Sequence, residues 1–417
     1  MIENINKKNG WKIEELPKLV FFQEGPGVRN NQYTDSGVKL LNVANLKDGN
    51  LYLDNTDRYI SEEEAYGKYK HFLVDEGDLI IASSGIKVEY FDKKIGFAKK
   101  EHLPLCMNTS TIRFKTLDDN ILNIEYFAYF LKTNYFKKQI TRLITGSAQL
   151  NFGPSHLKQI KVILPPIDVQ IKLVEVLDKA QELINKRKEQ IELLDELVKS
   201  RFVEMFGDPS KNKKGWDIYE IDEYLECLTD YHSNGSYESL RDNVTLLDSP
   251  NYALMVRTTD LENNNFEKDV KYIDEHAYNY LEKSKVFGGE IIINKIGSAG
   301  KVYLMPFLNK PVSLAMNQFL LRFDQNKVNH IFLYNLLSTP YMEIKIKEKV
   351  RGAVTKTITK DAIRKINIIV PPIEVQNQFA DFVKQVDKLK FDSKKSYNLM
   401  ELPIYKRPSM LYDIIIL

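Results

Sequence analysis

Two apolar stretches of the chain run into paired prolines. Ile160 to Leu164 leads to Pro165-Pro166, and Ile366 to Val370 leads to Pro371-Pro372. A proline pair stops a strand and suits the first turn of a helix. Asp168 and Glu374 then place a carboxylate in that turn, where the helix dipole favours negative charge. After the first pair, residues recur at alternating spacings of four and three: Leu173, Leu177, Ala180, Ile184, Arg187 as one charged interruption, Ile191, Leu194 and Val198. This is a heptad seam of about four heptads, with mixed charges on the other faces. With Gly207 and Pro209 as the stop, it predicts a helix over 167–205, about 58 Å long at 1.5 Å per residue. A core helix is the plain alternative, but such a length exceeds that of an ordinary globular helix. The second stretch starts the same way, with Phe379, Val383 and Val386 on one face. The pattern then falters from Phe391 to Tyr397, and Pro403 and Pro408 argue against a continuous helix through the tail. The second helix is therefore expected to be about half as long as the first.

These paired features belong to a long repeat. The only two tryptophans lie in Gly10-Trp11 and Gly215-Trp216, and Leu164-Pro165-Pro166-Ile167-Asp168-Val169-Gln170 returns as Val370-Pro371-Pro372-Ile373-Glu374-Val375-Gln376. Between them, Gly77-Asp78-Leu79-Ile80-Ile81 answers to Gly289-Glu290-Ile291-Ile292-Ile293. Met107-Asn108 leading to Ile112-Arg113-Phe114 answers to Met316-Asn317 leading to Leu321-Arg322-Phe323. Four pairs in one order, with offsets of 205 to 212, describe duplicated domains rather than a solenoid of short repeats. The interiors between the anchors differ, so the two copies share a frame and present different surfaces. The expected organisation is a first domain over 1–166, a long helix over 167–206, a second domain over 207–372, a shortened helix over 373–395 and an atypical tail over 396–417.

Charge matters locally rather than globally. Lys and Arg number 59 against 57 Asp and Glu, a net +2. Residues 132–161, however, hold Lys132, Lys137, Lys138, Arg142, Lys158 and Lys161 with no acidic residue, a local +6. The equivalent 341–365 sums to +5, with Lys345, Lys347, Lys349, Arg351, Lys356, Lys360, Arg364 and Lys365 against Glu343, Glu348 and Asp361. One such run is commonly a solvated face. Its recurrence at the same place in both copies favours a phosphate-facing surface. Each run contains a polar turn, Thr145-Gly146-Ser147-Ala148-Gln149 and Gly352-Ala353-Val354-Thr355-Lys356, whose small and amide-bearing residues allow close approach to a backbone or base edge. A second loop follows the Gly-Asp/Glu strand: Ala82-Ser83-Ser84-Gly85-Ile86-Lys87, and Asn294-Lys295-Ile296-Gly297-Ser298-Ala299-Gly300-Lys301. Gly300-Lys301 is followed by Val302, so this is not a Walker loop. These loops read as strand-to-strand turns, with nucleic-acid contact the open alternative. Basic, hydroxyl- or amide-bearing residues in the repeated loop positions make the candidate contacts: Ser83, Ser84, Lys87, Lys137, Lys138, Arg142, Ser147 and Gln149 in the first copy, and Lys295, Ser298, Lys301, Lys347, Arg351, Thr355 and Lys356 in the second.

Composition removes other classes. With 43% hydrophobic and 28% charged residues the chain is ordinary globular material. Cys106 and Cys227 are too few for a disulfide framework or a cysteine zinc site, which fits a reduced compartment. No signal-peptide core opens the chain and no apolar run approaches a membrane span, so a cytoplasmic protein is expected. Histidines 71, 102, 156, 232, 276 and 330 are scattered, without metal-ligand spacing. No GxSxG elbow, methyltransferase motif or convincing nuclease carboxylate set is present; Glu343-Ile344-Lys345 lacks an upstream strand aspartate. No catalytic constellation and no metal site emerge.

Two variable domains, each followed by a Pro-Pro-led helix, resemble the specificity subunit of type I restriction-modification systems. The residues carrying the resemblance are Gly10-Trp11, Gly77-Asp78-Leu79-Ile80, Leu164-Pro165-Pro166 to Gln170, Met205-Phe206-Gly207-Asp208-Pro209 with Gly215-Trp216, and Val370-Pro371-Pro372 to Gln376, over about residues 10–390. The resemblance implies a mixed α/β (α+β) fold with an internal pseudo-two-fold repeat. Residues of about 10–165 and 210–371 would be target recognition domains, separated by long helices packed as an antiparallel coiled coil. Each domain would read one half of a bipartite double-stranded DNA target, asymmetric because the interiors differ. The helices would set the gap and dock two methylation subunits, through which restriction subunits join. S-adenosylmethionine, ATP and Mg²⁺ would belong to those partners, and this chain would perform no chemistry and bind no cofactor.

The coiled-coil seam would comprise Leu173, Leu177, Ala180, Ile184, Ile191, Leu194 and Val198 with Phe379, Val383 and Val386. Against the family pattern, the tail from Ser396 to Pro403 and the ending Ile414-Ile415-Ile416-Leu417 read as a frame disruption or a natural truncation. A short second helix would leave Leu194 and Val198 without a partner and weaken docking at that end. A coiled-coil scaffold joining two protein-binding domains is the competing reading, and a self-contained methyltransferase or nuclease a more distant one.

Overall fold

The computed structural model describes residues 10–54, 56–144 and 150–406. The chain divides into two compact units: residues up to Lys188 together with those from Lys394 on, and Glu189–Ser393. Each unit is mixed α/β.

In the first repeat, β1 (Lys12–Glu15) is followed by β2 (Val20–Glu24), β3 (Leu79–Ala82), β4 (Ser84–Ile86), β5 (Ile95–Phe97) and β6 (Thr111–Thr116). Then come α1 (Ile124–Lys132), α2 (Asn134–Leu143), β7 (Leu150–Asn151), β8 (Lys161–Leu164) and the long α3 (Ile167–Phe206). The main sheet has the order β2-β6-β3-β5, antiparallel throughout. A smaller sheet joins Val38–Leu41 parallel to Leu105–Met107 and antiparallel to Tyr59–Ile60. The second repeat runs β9 (Ile218–Glu220), β10 (Leu225–Asp230), β11 (Ile291–Asn294), β12 (Val302–Leu304), β13 (Gln318–Phe323), α4 (His330–Leu337), α5 (Pro340–Glu348), β14 (Asn367–Ile369) and the long α6 (Ile373–Lys406). Its main sheet, β10-β13-β11-β12, repeats the antiparallel order of the first. Its smaller sheet again pairs one strand, Ala253–Val256, parallel to Val312–Leu314 and antiparallel to Lys271–Ile273.

The apolar stretches before the prolines are edge strands that close each domain. β8 pairs antiparallel with β1 and β14 with β9, so the chain returns to its domain's first strand before the long helix leaves. The repeated glutamine explains the motif that follows. Gln170 and Gln376 are both fully buried. Gln170 accepts the Asn123 main-chain N–H at 2.9 Å and donates to the Pro165 and Ile121 carbonyls at 2.8 and 2.9 Å. Gln376 accepts from Asn329 N–H at 2.9 Å and donates to the Pro371 and Lys327 carbonyls at 2.7 and 3.4 Å. Asn123 and Asn329 in turn cap α1 and α4 through their side chains. One buried amide thus ties the start of each long helix to the start of a domain helix.

The strand ladders correct one sequence match. Leu79 faces Phe114 and Ala82 faces Thr111, whereas Ile291 faces Leu321 and Asn294 faces Gln318. Phe114 therefore corresponds to Leu321, and Arg322 to Lys115 rather than Arg113. The slip is two residues, and a two-residue slip leaves every side chain on its own face. Arg113 consequently still reaches the buried Asp78 at 3.4 Å, just as Arg322 reaches the buried Glu290 at 3.3 Å. Both carboxylates also accept main-chain N–H groups of the turn before the central strand, Asp75 in one copy and Phe287 and Gly288 in the other.

The second long helix is not halved. α6 has 34 residues against 40 for α3, and it continues through Pro403. A proline forfeits one main-chain hydrogen bond at about 3 kcal/mol, a cost that the long run of helix preceding Pro403 can carry. Within the second unit the two helices run antiparallel. Asp195 Oδ1 pairs with Lys390 Nζ at 2.7 Å, Arg201 lies over the Phe382 ring, and Phe202 and Phe206 meet Phe379 at ring-centroid distances of 5.5 and 5.4 Å. Leu194 and Val198 join this cluster with Val383 and Val386, so neither lacks a partner. The premise for weakened docking at that end is removed.

Candidate nucleic-acid interface

In each repeat the two candidate loops meet at one junction. In the first, β4 pairs with β7, the Phe152 N–H donates to the Ser83 carbonyl at 2.9 Å, and the Ser83 N–H donates to the Ser110 carbonyl at 2.8 Å. In the second, the Ile358 N–H donates to the Lys295 carbonyl at 3.2 Å, the Lys295 N–H donates to the Asn317 carbonyl at 2.8 Å, and Ile296 bridges Thr357. Ser110 and Asn317 both adopt the left-handed conformation, with φ of 66° and 69°. The turn after the central strand, the segment after the basic helix and the turn before β6 or β13 thus converge twice by the same hydrogen bonds.

The second junction opens into a cleft of about 720 Å³ whose lining includes Ser298, Lys301, Lys347 and Lys356, with Glu343 the acidic member. Its glycine turn is held from below. Asn294 Nδ2 donates to Ser298 Oγ at 2.7 Å and to the Tyr303 hydroxyl at 3.2 Å, while Ser298 and Tyr303 donate to Glu262 at 3.1 and 3.3 Å. Burial, with the Glu262 charge, pushes the Tyr303 hydroxyl up to about 12. Lys301 Nζ lies 3.7 Å from Glu262. On the other wall Arg351 and Thr357 bridge a hairpin whose Gly352 has φ +106°, and a Cβ there would sit 2.1 Å from the Thr355 carbonyl oxygen. Only glycine closes this turn. Arg351, Thr355 and Lys356 are exposed on it, and Lys347 is exposed on α5.

The first repeat has a shallower cleft of about 380 Å³ between Val88 and the α2 face bearing Lys137, Lys138, Thr141 and Arg142. Lys87, Lys138 and Arg142 are exposed there and Ser84 is half-buried. Ser147 and Gln149 lie outside the described residues. Several candidates are placed otherwise than a surface contact requires. Ser83 is 1% exposed, beneath the junction rather than on it. Lys137 is held by Asp92 at 2.6 Å, its side chain 14% exposed. Lys295 is held by Asp230 at 3.3 Å.

The local charge sums change for the same reason. Burial lowers the Lys132 ammonium's proton affinity, against the pull of Asp92 and Asp178. Lys360 and Arg364 pair with Asp230 and Asp222. These carboxylates lie far away in sequence, so a window along the chain cannot count them. Exposed cations remain at both junctions, but fewer than +6 and +5.

Asp230 escaped sequence reading because nothing in its neighbourhood marks it. It is buried, accepting Ser233 Oγ at 2.6 Å and Lys360 Nζ at 2.9 Å beside Lys295. Burial pushes its carboxyl up, but the hydrogen bonds from Ser233 and Lys360 and the two lysine charges outweigh it, and the group sits below the usual aspartate range. Its stabilisation is therefore present above the ordinary value of about 3.9 and is lost as pH falls further, through the depressed value. Denaturant melts of the second unit should find Asp230→Asn clearly less stable than the parent at neutral pH, the two curves converging in strong acid. A constant difference across that range would contradict the assignment.

Along the seam, Leu173, Leu177, Ile184, Val198, Phe379, Val383 and Val386 are buried, and Ala180, Ile191 and Leu194 half-buried. Leu173 packs into the first unit's core and Val198 into the second's. Burial pushes the Cys106 thiol up to about 12, in keeping with a core role. Among the described residues no cluster of His, Cys, Asp and Glu could hold a metal ion, and no helix is long and apolar enough to cross a membrane.

Comparison with known proteins gives one answer. Residues 9–193 and 213–401 each match the type I restriction modification DNA specificity domain. The putative type I restriction enzyme MjaX specificity subunit of Methanocaldococcus jannaschii is 22% identical over 410 residues, covering 91% of this chain and 87% of that protein. The MjaVIII specificity subunit of the same organism is 28% identical over 189 residues, covering 44% of this chain and 43% of its own length. The crystal structure of a type I restriction-modification S subunit from M. genitalium superposes with a TM-score of 0.53 at 15% identity, covering 96% of this chain and 95% of that one. A chain from a study of assembly and conformational transition of the type I system gives 0.57 at 13% identity, with 97% of both covered. With two copies of that domain spanning most of its length, in step with its two structural repeats, this chain belongs to the family of type I restriction-modification DNA specificity subunits, non-catalytic proteins whose methylation and restriction partners bind the cofactors.

Proposed function

We propose that this chain reads an asymmetric, interrupted double-stranded DNA sequence, one half per repeat, as the cytoplasmic specificity subunit of an assembly with two methylation subunits and, through them, restriction subunits. The two long helices set the gap between half-sites and carry the docking surface. One observation carries the reading of DNA: the same loop junction is built twice, flanked each time by exposed cations but differing in shape and in side chains. A shared scaffold with unlike tips suits two unlike half-sites. Phosphate contacts hold the register while side chains at the loops read base edges.

The test pairs substitutions that leave internal ion pairs alone. Lys138→Ala with Arg142→Ala in the first repeat, and Lys347→Ala with Lys356→Ala in the second, are each expected to weaken binding of the assembled complex to its gapped duplex. Each pair should also reduce the slope of log K against log salt by about 2, one unit for each lost phosphate contact. Titration at several salt concentrations measures both. An unchanged slope for both pairs would remove the proposed DNA-facing surface.

A further inference from the structure

We propose that Glu24 reads a base edge in the half-site bound by the first repeat, accepting a hydrogen bond from the exocyclic amino group of a cytosine in the major groove. This rests on the reading that the loop junctions face DNA. Glu24 lies opposite Ile112 in the β2·β6 ladder, and Asp230 lies opposite Phe319 in the β10·β13 ladder. Ile112 and Phe319 are each the second residue of their strand, so the two carboxylates occupy one topological position.

Their surroundings differ. Asp230 is saturated by Lys295, Lys360 and Ser233. In the first repeat the lysine positions hold residues that carry no charge. Ser83 makes the main-chain bonds that Lys295 makes, and Pro154 opens the short helix that Lys360 opens in the second copy. Among the described residues no cation pairs with Glu24. Burial holds its carboxyl above the usual range, against the pull of the Ser110 main-chain N–H. It also lies where both loops meet, since a Cβ added to Gly153 would be 3.3 Å from Glu24 Oε2. A partly desolvated carboxylate with no cation costs stability, and the domain tolerates it at the junction, whereas the other copy neutralises the same position.

The chemistry of a carboxylate selects the ligand. It only accepts hydrogen bonds, so a phosphate repels it and a base amino group attracts it. In the major groove cytosine offers its N4 amino donor, adenine sets its N6 amino beside the N7 acceptor, and guanine and thymine present acceptors. Unlike adenine, cytosine carries no acceptor of its own beside its amino group, so its edge suits a carboxylate better.

The full-length chain and its Glu24→Gln and Glu24→Asp variants would each be purified with the methylation subunit. Methylated adenines would be mapped on genomic DNA, and binding measured on duplexes carrying each base at every position of the motif. Glu24→Gln is expected to reduce the preference for cytosine over adenine about tenfold at one position of one half-site, because an amide both donates and accepts. The other half-site stays unchanged, and Glu24→Asp keeps the cytosine preference. Unaltered preferences at every position would overturn the proposal while leaving DNA reading intact. Equal loss on all duplexes with both variants would mark Glu24 as structural and overturn it as well. A wild-type methylation pattern with no bipartite motif would instead overturn the reading on which it rests.

Discussion

Phe206→Ala is expected to destabilise the second unit by about 4 kcal/mol, the upper range for emptying a core site. Phe206 is fully buried at the end of α3, with ring centroids 5.0 Å from Phe202, 4.7 Å from Phe332 and 5.4 Å from Phe379. Those three rings come from α3, α4 and α6, so the cavity would open where the two long helices and the recognition domain share one core. Its walls belong to separate helices already packed on other faces, and collapse onto the void is therefore limited. The melting temperature of that unit should fall by about 10 °C. Hydrogen exchange should speed up in 193–206, 318–337 and 373–386, with the first unit's β2-β6-β3-β5 sheet unaffected. A loss under about 1 kcal/mol would show that these aromatics do not bind the helices to the domain.

Gln170→Leu and Gln376→Leu form the second test, aimed at polar rather than apolar glue. Each leucine preserves bulk but leaves the half-buried N–H of Asn123 or Asn329, the buried Pro165 or Pro371 carbonyl and a second, half-buried carbonyl without their amide partner. Unsatisfied buried groups cost about 1–3 kcal/mol each, partly relieved by relaxation, so about 3 kcal/mol is expected per variant. The effect should be local: Gln170→Leu should lower the stability of the first unit and Gln376→Leu that of the second, read by unit-resolved hydrogen exchange. The amide also joins the first turn of a long helix to the cap of α1 or α4, so its loss should uncouple spacer from domain before either melts. Gapped-duplex binding should then weaken more than binding of an isolated half-site. Equal losses in both units from either substitution would refute this local role.

Much of the molecule was legible along the chain. The repeat, the Pro-Pro helix starts and the seam of α3 are each written at fixed sequence intervals, and helical periodicity turns those intervals into one face. Asp78 and Arg113, with Glu290 and Arg322, were visible as matched motifs, although only the ladders revealed the two-residue slip between them. Gln170 and Gln376 were visible as repeated letters, but their hydrogen bonds reach Asn123 and Asn329, 47 residues away. The length of α6 is not legible locally, because the prolines and the broken heptad are the only signals near its end. In the folded chain, packing around Phe379, Val383 and Val386 and the Lys390–Asp195 pair anchor the helix before it reaches Pro403.

Residue order alone shows two versions of one domain on helical spacers and places the chain among DNA specificity subunits. Periodicity and repetition are properties of order along a chain, and they survive without coordinates. Which charges are spent and which remain is set by the fold. Asp92 neutralises Lys137, and Asp230 takes Lys295 and Lys360, while Glu24 at the matching position meets no cation among the described residues. Coulomb interactions depend on distance through space and on burial, and the fold sets both by bringing together residues tens to more than a hundred positions apart.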